Sequence, residues 1–249
     1  MKAPINKIID FSTVDGEGNR SVIFFQGCNI HCLYCHNPET QPLIRNEDEY
    51  IKYKETHDDV TSLEFLTPEE VFKRIEKNIP FIRGITVSGG ECSLYPCFIT
   101  ELFNIAKKYN LTTLLDSNGM VKYSSLPDLM EVTDGVMLDI KSWDEDLYFK
   151  LVGSSNKIVK ENLKWLSDNN KIEELRIVYV PDYVDAKRCL EGIKEILGDK
   201  IETIKLKLIA FRHNGVTSIL KEHRSPTNEE MLDLKNFALN IGYKNIILK

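Results

Sequence analysis

The chain has 249 residues, 42% hydrophobic and 28% charged, which excludes a disordered polymer and permits a core needing no disulfide staples. Lys and Arg number 32 against 38 Asp and Glu, a net charge of −6, and the absence of a basic tract argues against a nucleic-acid binder. The longest apolar runs, such as residues 22–25 and 246–248, are too short to span a membrane. The N-terminus also lacks an apolar signal core, so a cytoplasmic, reducing setting is expected.

Strands are predicted over residues 20–26, 84–88, 112–116, 135–140, 175–180, 203–209 and 245–248. The charged stretch 46–59 reads as a surface excursion. Next, Thr67, Pro68 and Glu70 read as a helix N-cap, a first-position proline and a capping-box partner, with Val71, Ile75 and Ile79 on one face. A second helix carries Phe98, Leu102, Ile105 and Tyr109 on one side. A last one opens at Thr227 with Glu230 and aligns Met231, Leu234, Ala238 and Ile241. Apolar strands alternating with helices predict an α/β fold with a parallel sheet covered by helices, as a single domain over residues 1–249. A partial (β/α) TIM-like barrel fits better than a Rossmann fold, because no GxGxxG follows the first strand.

The polar signatures lie where such a barrel would use them. Ser88-Gly89-Gly90-Glu91, Asp116-Ser117-Asn118-Gly119 and Asp139-Ile140-Lys141 fall at the C-terminal ends of predicted strands. Arg176 lies within the fifth strand, and Arg212 and His213 follow the sixth. Strand C-termini of α/β barrels share one mouth, where active sites form.

Three of the six cysteines, Cys28, Cys32 and Cys35, form C-x3-C-x2-C after the first strand. Three thiolates on one loop can hold a 4Fe–4S cluster with one iron left open, since full ligation takes four. Structural zinc with His31 or His36 as fourth ligand is the alternative on spacing alone. A disulfide with a spare thiol fits poorly in a reducing compartment.

The residues around this cluster narrow the choice. Thr13-Val14-Asp15-Gly16-Glu17-Gly18, Phe24-Phe25-Gln26-Gly27-Cys28 and Cys32-Leu33-Tyr34-Cys35-His36-Asn37 resemble the radical S-adenosylmethionine (SAM) enzymes that activate glycyl-radical enzymes, of the pyruvate formate-lyase-activating type. The likeness continues in order through Ser-Gly-Gly-Glu, Asp-Ser-Asn-Gly, Val-Met-Leu-Asp-Ile-Lys and Leu-Val-Gly.

The resemblance implies one [4Fe–4S] cluster on Cys28, Cys32 and Cys35. SAM would be chelated at the open iron and cleaved reductively to a 5′-deoxyadenosyl radical, which takes hydrogen from a backbone glycine of a partner glycyl-radical enzyme. It places Tyr34 near the adenine and Gly89, Gly90 and Glu91 at the SAM amino group. Asp116 also matches a family SAM contact, and Lys141 and Arg176 surround the methionine part. Asp116, Ser117, Met137 and Asp139 match a small monovalent cation site. A low-potential donor such as flavodoxin or ferredoxin, and a monomeric protein, are further expectations.

The chain departs from the family in three places. Arg212 and His213 stand where the family has a Tyr-His pair; Glu17 replaces a proline, making the turn less rigid; and residues 37–90 contain no cysteine, so no second cluster is expected. Rival readings are a radical SAM enzyme acting on a small molecule, such as a deazapurine carboxylate synthase, an activase of anaerobic ribonucleotide reductase, or a non-catalytic zinc-binding module. Residues 46–59 and the segment around His213 and Arg224 are candidate partner-recognition loops. Cys92, Cys97 and Cys189 read as core residues or free thiols.

Overall fold

Parallel ladders linked through helices dominate the computed structural model, which describes residues 1–57 and 62–249. The chain divides into two units. The first comprises Met1–Asn29, Asn37–Ser117 and Tyr123–Val136; the second comprises Ile30–His36, Asn118–Lys122 and Met137–Lys249.

The first unit contains β1 (Ala3–Ser12), β2 (Arg20–Phe25), α1 (Glu47–Thr56), β3 (Glu64–Leu66), α2 (Pro68–Ile75), β4 (Gly84–Gly89), α3 (Pro96–Lys108), β5 (Thr112–Ser117) and α4 (Pro127–Val132). Its strands lie in the order β3-β1-β2-β4-β5. β1 runs antiparallel to both neighbours, while β2, β4 and β5 are parallel. Every residue of β2 is buried, as a parallel strand covered on both faces requires. Val71, Ile75, Phe98, Leu102 and Phe103 supply helix side chains to this core.

Four local findings qualify the sequence reading of this unit. β1 and β3 were not anticipated: β1 mixes buried and half-buried positions around Lys7 and Asp10, and β3 has three residues. Residues 47–56 are helical rather than a loop, capped by the Asn46 side chain on the Glu49 amide, with no buried residue on any face. Asp58 and Asp59, the end of the predicted excursion, lie outside the described residues. The stripe of α3 also runs differently. Phe98 and Leu102 are buried as expected, but Ile99, Phe103 and Ala106 complete the face, and Tyr109 stands exposed at the helix end. The capping box at Thr67 and Glu70 forms as predicted; the α-helix then ends at Ile75 and tightens into a 3-10 turn over Glu76–Phe81 that contains Pro80, since proline's missing amide cannot continue the helical ladder.

The second unit holds Met137 to Asp139 of β6 (Gly135–Asp139), then α5 (Glu145–Val152), α6 (Lys157–Asp168), β7 (Ile172–Tyr179), α7 (Ala186–Leu197), β8 (Lys205–Ala210), α8 (Asn228–Asn240) and β9 (Asn245–Leu248). The strand order is β6-β7-β8-β9, and β7, β8 and β9 are parallel. The period-two alternation of side chains splits this sheet chemically. Leu138, Leu175, Ile177, Leu206 and Leu208 are fully buried apolar residues. The intervening positions Met137, Asp139, Glu174, Arg176 and Lys207 are mostly charged. Gly192 lets α7 lie against Trp143, whose ring would stand 1.9 Å from an added Cβ. Met231, Leu234 and Ala238 bury the predicted face of α8, opened by the Thr227–Glu230 capping box, while Ile241, expected on the same face, is the C-cap and only half-buried.

Candidate functional site

In the first unit, β2 delivers the chain to Gly27 and Cys28 beside the end of β4. Gly27 donates to the Thr40 carbonyl at 2.8 Å and Cys28 to that of Gln41 at 3.1 Å. The Gly89-Gly90-Glu91 turn is sewn to the same segment: Gly90 donates to the Phe25 carbonyl at 3.0 Å and Glu91 to that of Gly27 at 2.8 Å. Both glycines are sterically required. A Cβ on Gly90 would meet the Gly27 oxygen at 2.2 Å, and Gly89, at φ +120°, faces the Phe25 oxygen at 2.2 Å.

Glu91 turns inward and is 1% exposed. Its Oε1 accepts from the Ser93 amide at 3.0 Å, the Ser93 hydroxyl at 2.5 Å and the Ser117 hydroxyl at 2.8 Å. Ser117 in turn accepts from Tyr123 Oη at 2.7 Å. The carboxylate therefore ties the turn after β4 to the end of β5. Asp116, next along β5, accepts from Ser88 Oγ at 2.9 Å.

The turn around Asp15 is stiffened without the family's proline. Gly16 and Gly18 take positive φ, the Glu17 carboxylate pairs with Arg83 at 2.5 Å, and Asp15 accepts from Ser12 Oγ at 2.5 Å. Beneath it lies Arg20, 1% exposed. It donates to Thr86 Oγ1 at 2.7 Å, the Ile85 carbonyl at 2.7 Å and the Glu17 carbonyl at 3.3 Å. The sequence gives no signal for Arg20, because a strand's first residue offers no sign that its side chain is buried.

In the second unit, residues 30–36 carry Cys32, Tyr34 and Cys35. The His31 and Leu33 amides donate to the Val152 and Leu151 carbonyls at 3.1 and 2.9 Å. Those carbonyls belong to the last turn of α5, where they have no intrahelical partner; the helix stops at Gly153 in the left-handed conformation. The Leu-Val-Gly signature thus anchors the cysteine loop. Ser218 Oγ adds a bond to the Leu33 carbonyl at 2.5 Å, and Gly215 packs so closely that an added Cβ would lie 2.0 Å from the His36 oxygen.

Tyr34 and Lys141 are buried together, the ammonium 5.6 Å from the ring centroid. Asp139 pairs with Lys141 at 2.9 Å. Burial works against the Lys141 charge, but Asp139 and Cys32 overcome it and raise its pKa well above the ordinary value. Burial pushes the Cys32 thiol up to about 11, with Lys141 pulling the other way. The Tyr34 hydroxyl is buried without a hydrogen-bond partner among the described residues, a costly state unless a further polar group meets it.

Arg176 donates from Nε to Glu174 at 2.6 Å and places Nη2 3.0 Å from the Met137 sulfur. Arg212 and His213 are exposed. Arg212 contributes its carbonyl to His36 Nε2 at 3.1 Å, and His213 meets the His223 carbonyl. That contact engages one ring nitrogen of His36, one of the two histidines, with His31, that sequence spacing offered to zinc.

No disulfide engages any of the six cysteines, and Cys28, Cys32 and Cys35 are each partly exposed. Among the described residues no three His, Cys, Asp or Glu side chains form a ready single-ion site. The cysteines of an iron–sulfur cubane bind separate irons and need not converge on one point. No helix among the described residues is long and apolar enough to cross a membrane.

Residues 22–189 match the radical SAM superfamily model, and the chain belongs to that superfamily. Within it, the chain is similar to pyruvate formate-lyase-activating enzymes. It is 34% identical to pyruvate formate-lyase 1-activating enzyme of Escherichia coli over 93% of both chains. It is 36% identical to the Streptococcus mutans pyruvate formate-lyase-activating enzyme over 81% of this chain and 73% of that one. Among solved structures, QueE from E. coli matches 100% of this chain and 94% of its own at TM-score 0.62 and 12% identity. SuiB of Streptococcus suis, bound to S-adenosylmethionine, matches 92% of this chain and 51% of its own at TM-score 0.63 and 13% identity. These structures share the fold expected from sequence, the α/β partial barrel of radical SAM enzymes.

Proposed function

We propose that this chain is a glycyl-radical-enzyme activase that cleaves SAM reductively and removes a hydrogen atom from a backbone glycine of a pyruvate formate-lyase-like partner. The observation that carries the reading is C-x3-C-x2-C, with none of its cysteines in a disulfide, inside similarity to pyruvate formate-lyase-activating enzymes that spans 93% of this chain.

The residues present fit the cofactors. Cys28, Cys32 and Cys35 would hold one [4Fe–4S] cluster, and the Lys141 ammonium beside Cys32 favours the thiolate that metal requires. Loading displaces the thiol proton that burial retains. The buried Tyr34 hydroxyl is suited to a polar ligand atom, and the Tyr34 ring to an adenine face. Gly89 and Gly90, packed against backbone at and after the end of β2, would present their own backbone to the SAM amino group, while Glu91, bonded to Ser93 and Ser117, fixes the turn. Lys141 and Arg176, with Asp116, Arg212 and His213, would complete the SAM site, the cations complementing its carboxylate. Asp116, Ser117, Met137 and Asp139 would take a monovalent cation. When bound, the cluster and SAM supply the one-electron chemistry; the protein binds, orients and shields them.

The reading includes a low-potential donor such as flavodoxin or ferredoxin, a cytoplasmic setting, and a monomer formed as one radical SAM domain. The test is anaerobic reconstitution, then reduction with SAM and pyruvate formate-lyase. About four irons per chain, 5′-deoxyadenosine, and a glycyl-radical EPR signal on the partner are expected, all lost in Cys32→Ala. One zinc per chain in never-aerated protein, or no 5′-deoxyadenosine, would overturn it. 5′-Deoxyadenosine without a protein-based radical would favour a small-molecule substrate.

A further inference from the structure

β7 and β8 place two buried charges beside Arg176 that the reading above leaves unused. Glu174 is 2% exposed, and its Oε1 receives both Arg176 Nε at 2.6 Å and Lys207 Nζ at 2.7 Å. The Lys207 and Arg176 side chains are 9% and 10% exposed, and the two residues are register partners across β7 and β8. Swinging the guanidinium away would break a charge-assisted bond inside the fold, which is expensive at this depth. Arg176 is held at a second point as well, by Nη2 against the Met137 sulfur. An arginine held at its Nε edge and at one terminal nitrogen loses little rotamer freedom when a planar anion arrives.

We infer that Glu174 and Lys207 are positioning residues for Arg176, and through it for the carboxylate of a bound amino-acid-type ligand, here the methionine end of SAM. Glu174 sets the guanidinium's orientation. Lys207 shares the same carboxylate oxygen, which moderates its pull on Arg176 and prevents the pair from closing on itself. The inference rests on the activase reading and extends it to a pair on β7 and β8 that touches neither cluster nor substrate.

Glu174→Gln keeps the shape and the acceptor oxygen but removes the charge. By equilibrium dialysis with reconstituted, unreduced protein, SAM affinity is expected to fall roughly tenfold, the scale of one charge-assisted bond. Affinity for decarboxylated SAM, which lacks the carboxylate, is expected to be unchanged. Lys207→Gln gives a smaller loss of about threefold, with the same indifference to the decarboxylated analogue, and serves if Glu174→Gln fails to fold. Wild-type SAM affinity in both variants, or equal losses for both ligands, would overturn the positioning role while wild-type SAM binding stands. Wild-type protein that binds no SAM would overturn the activase reading and this inference with it.

Discussion

The two units hold their candidate residues by different physics. In the first, the Gly89-Gly90-Glu91 turn is fixed by contact: its glycines abut backbone oxygens, and Glu91 gathers hydroxyl and amide donors. In the second, Lys141, Asp139, Arg176, Glu174 and Lys207 are fixed by charge. Shape tolerates no added atom but ignores pH and salt. Charge tolerates changes of length but answers to protonation.

The strongest way to break this contrast is Gly90→Ala. Its Cβ would meet two backbone oxygens below 3 Å, so the turn must move, at a cost of about 3 kcal/mol in urea unfolding. That loss should be the same across neutral and alkaline pH. A loss below ~0.5 kcal/mol would mean the turn yields easily.

Asp139→Asn tests the other half. It leaves the buried Lys141 ammonium without the Asp139 carboxylate that pairs with it. Breaking a fully buried pair costs about 3–5 kcal/mol, and Asp139 is 30% exposed, so about 2 kcal/mol is expected. The pH sign follows from the raised folded-state pKa of Lys141. The pair's contribution is fully present below the unfolded lysine value and is lost as pH rises through the raised one. The difference between wild type and variant should therefore shrink only in strongly alkaline buffer. A difference that is already gone at neutral pH would refute the pairing.

The smallest effect belongs to the α8 cap. Thr227→Ala should cost about 1 kcal/mol. Glu230, held down to about 2 by Arg224 and the Thr227 amide, should contribute above the unfolded carboxylate range and lose that contribution as pH falls toward 2. The measurement is acid unfolding of wild type against Glu230→Gln, where parallel curves would refute the assignment.

The elements that sequence announced were those with strong local signals. The strands at residues 84–88, 112–116 and 245–248 emerged almost as predicted because they are short apolar or β-branched runs between turns, and the two capping boxes because their chemistry is contained in four residues. β1 escaped because Lys7 and Asp10 interrupt its pattern, and α1 because a helix with no buried face has no apolar period to read. The motif residues were legible by order and type, yet what holds them was not. Arg20, Glu174 and Lys207 look like surface charges in the sequence. Their burial follows from pairing between strands distant in the chain, as when Arg20 meets Thr86 and Thr112. Likewise, nothing local in Leu151-Val152-Gly153 says that its carbonyls serve a loop more than a hundred residues earlier.

That loop anchoring bears on assembly. Because the His31 and Leu33 amides are secured to the end of α5, protein contacts alone meet part of the entropy cost of ordering the segment that carries Cys32 and Cys35. Lengthening α5 by a single residue should therefore displace that segment and lower the iron content reached on reconstitution, even with every sulfur in place.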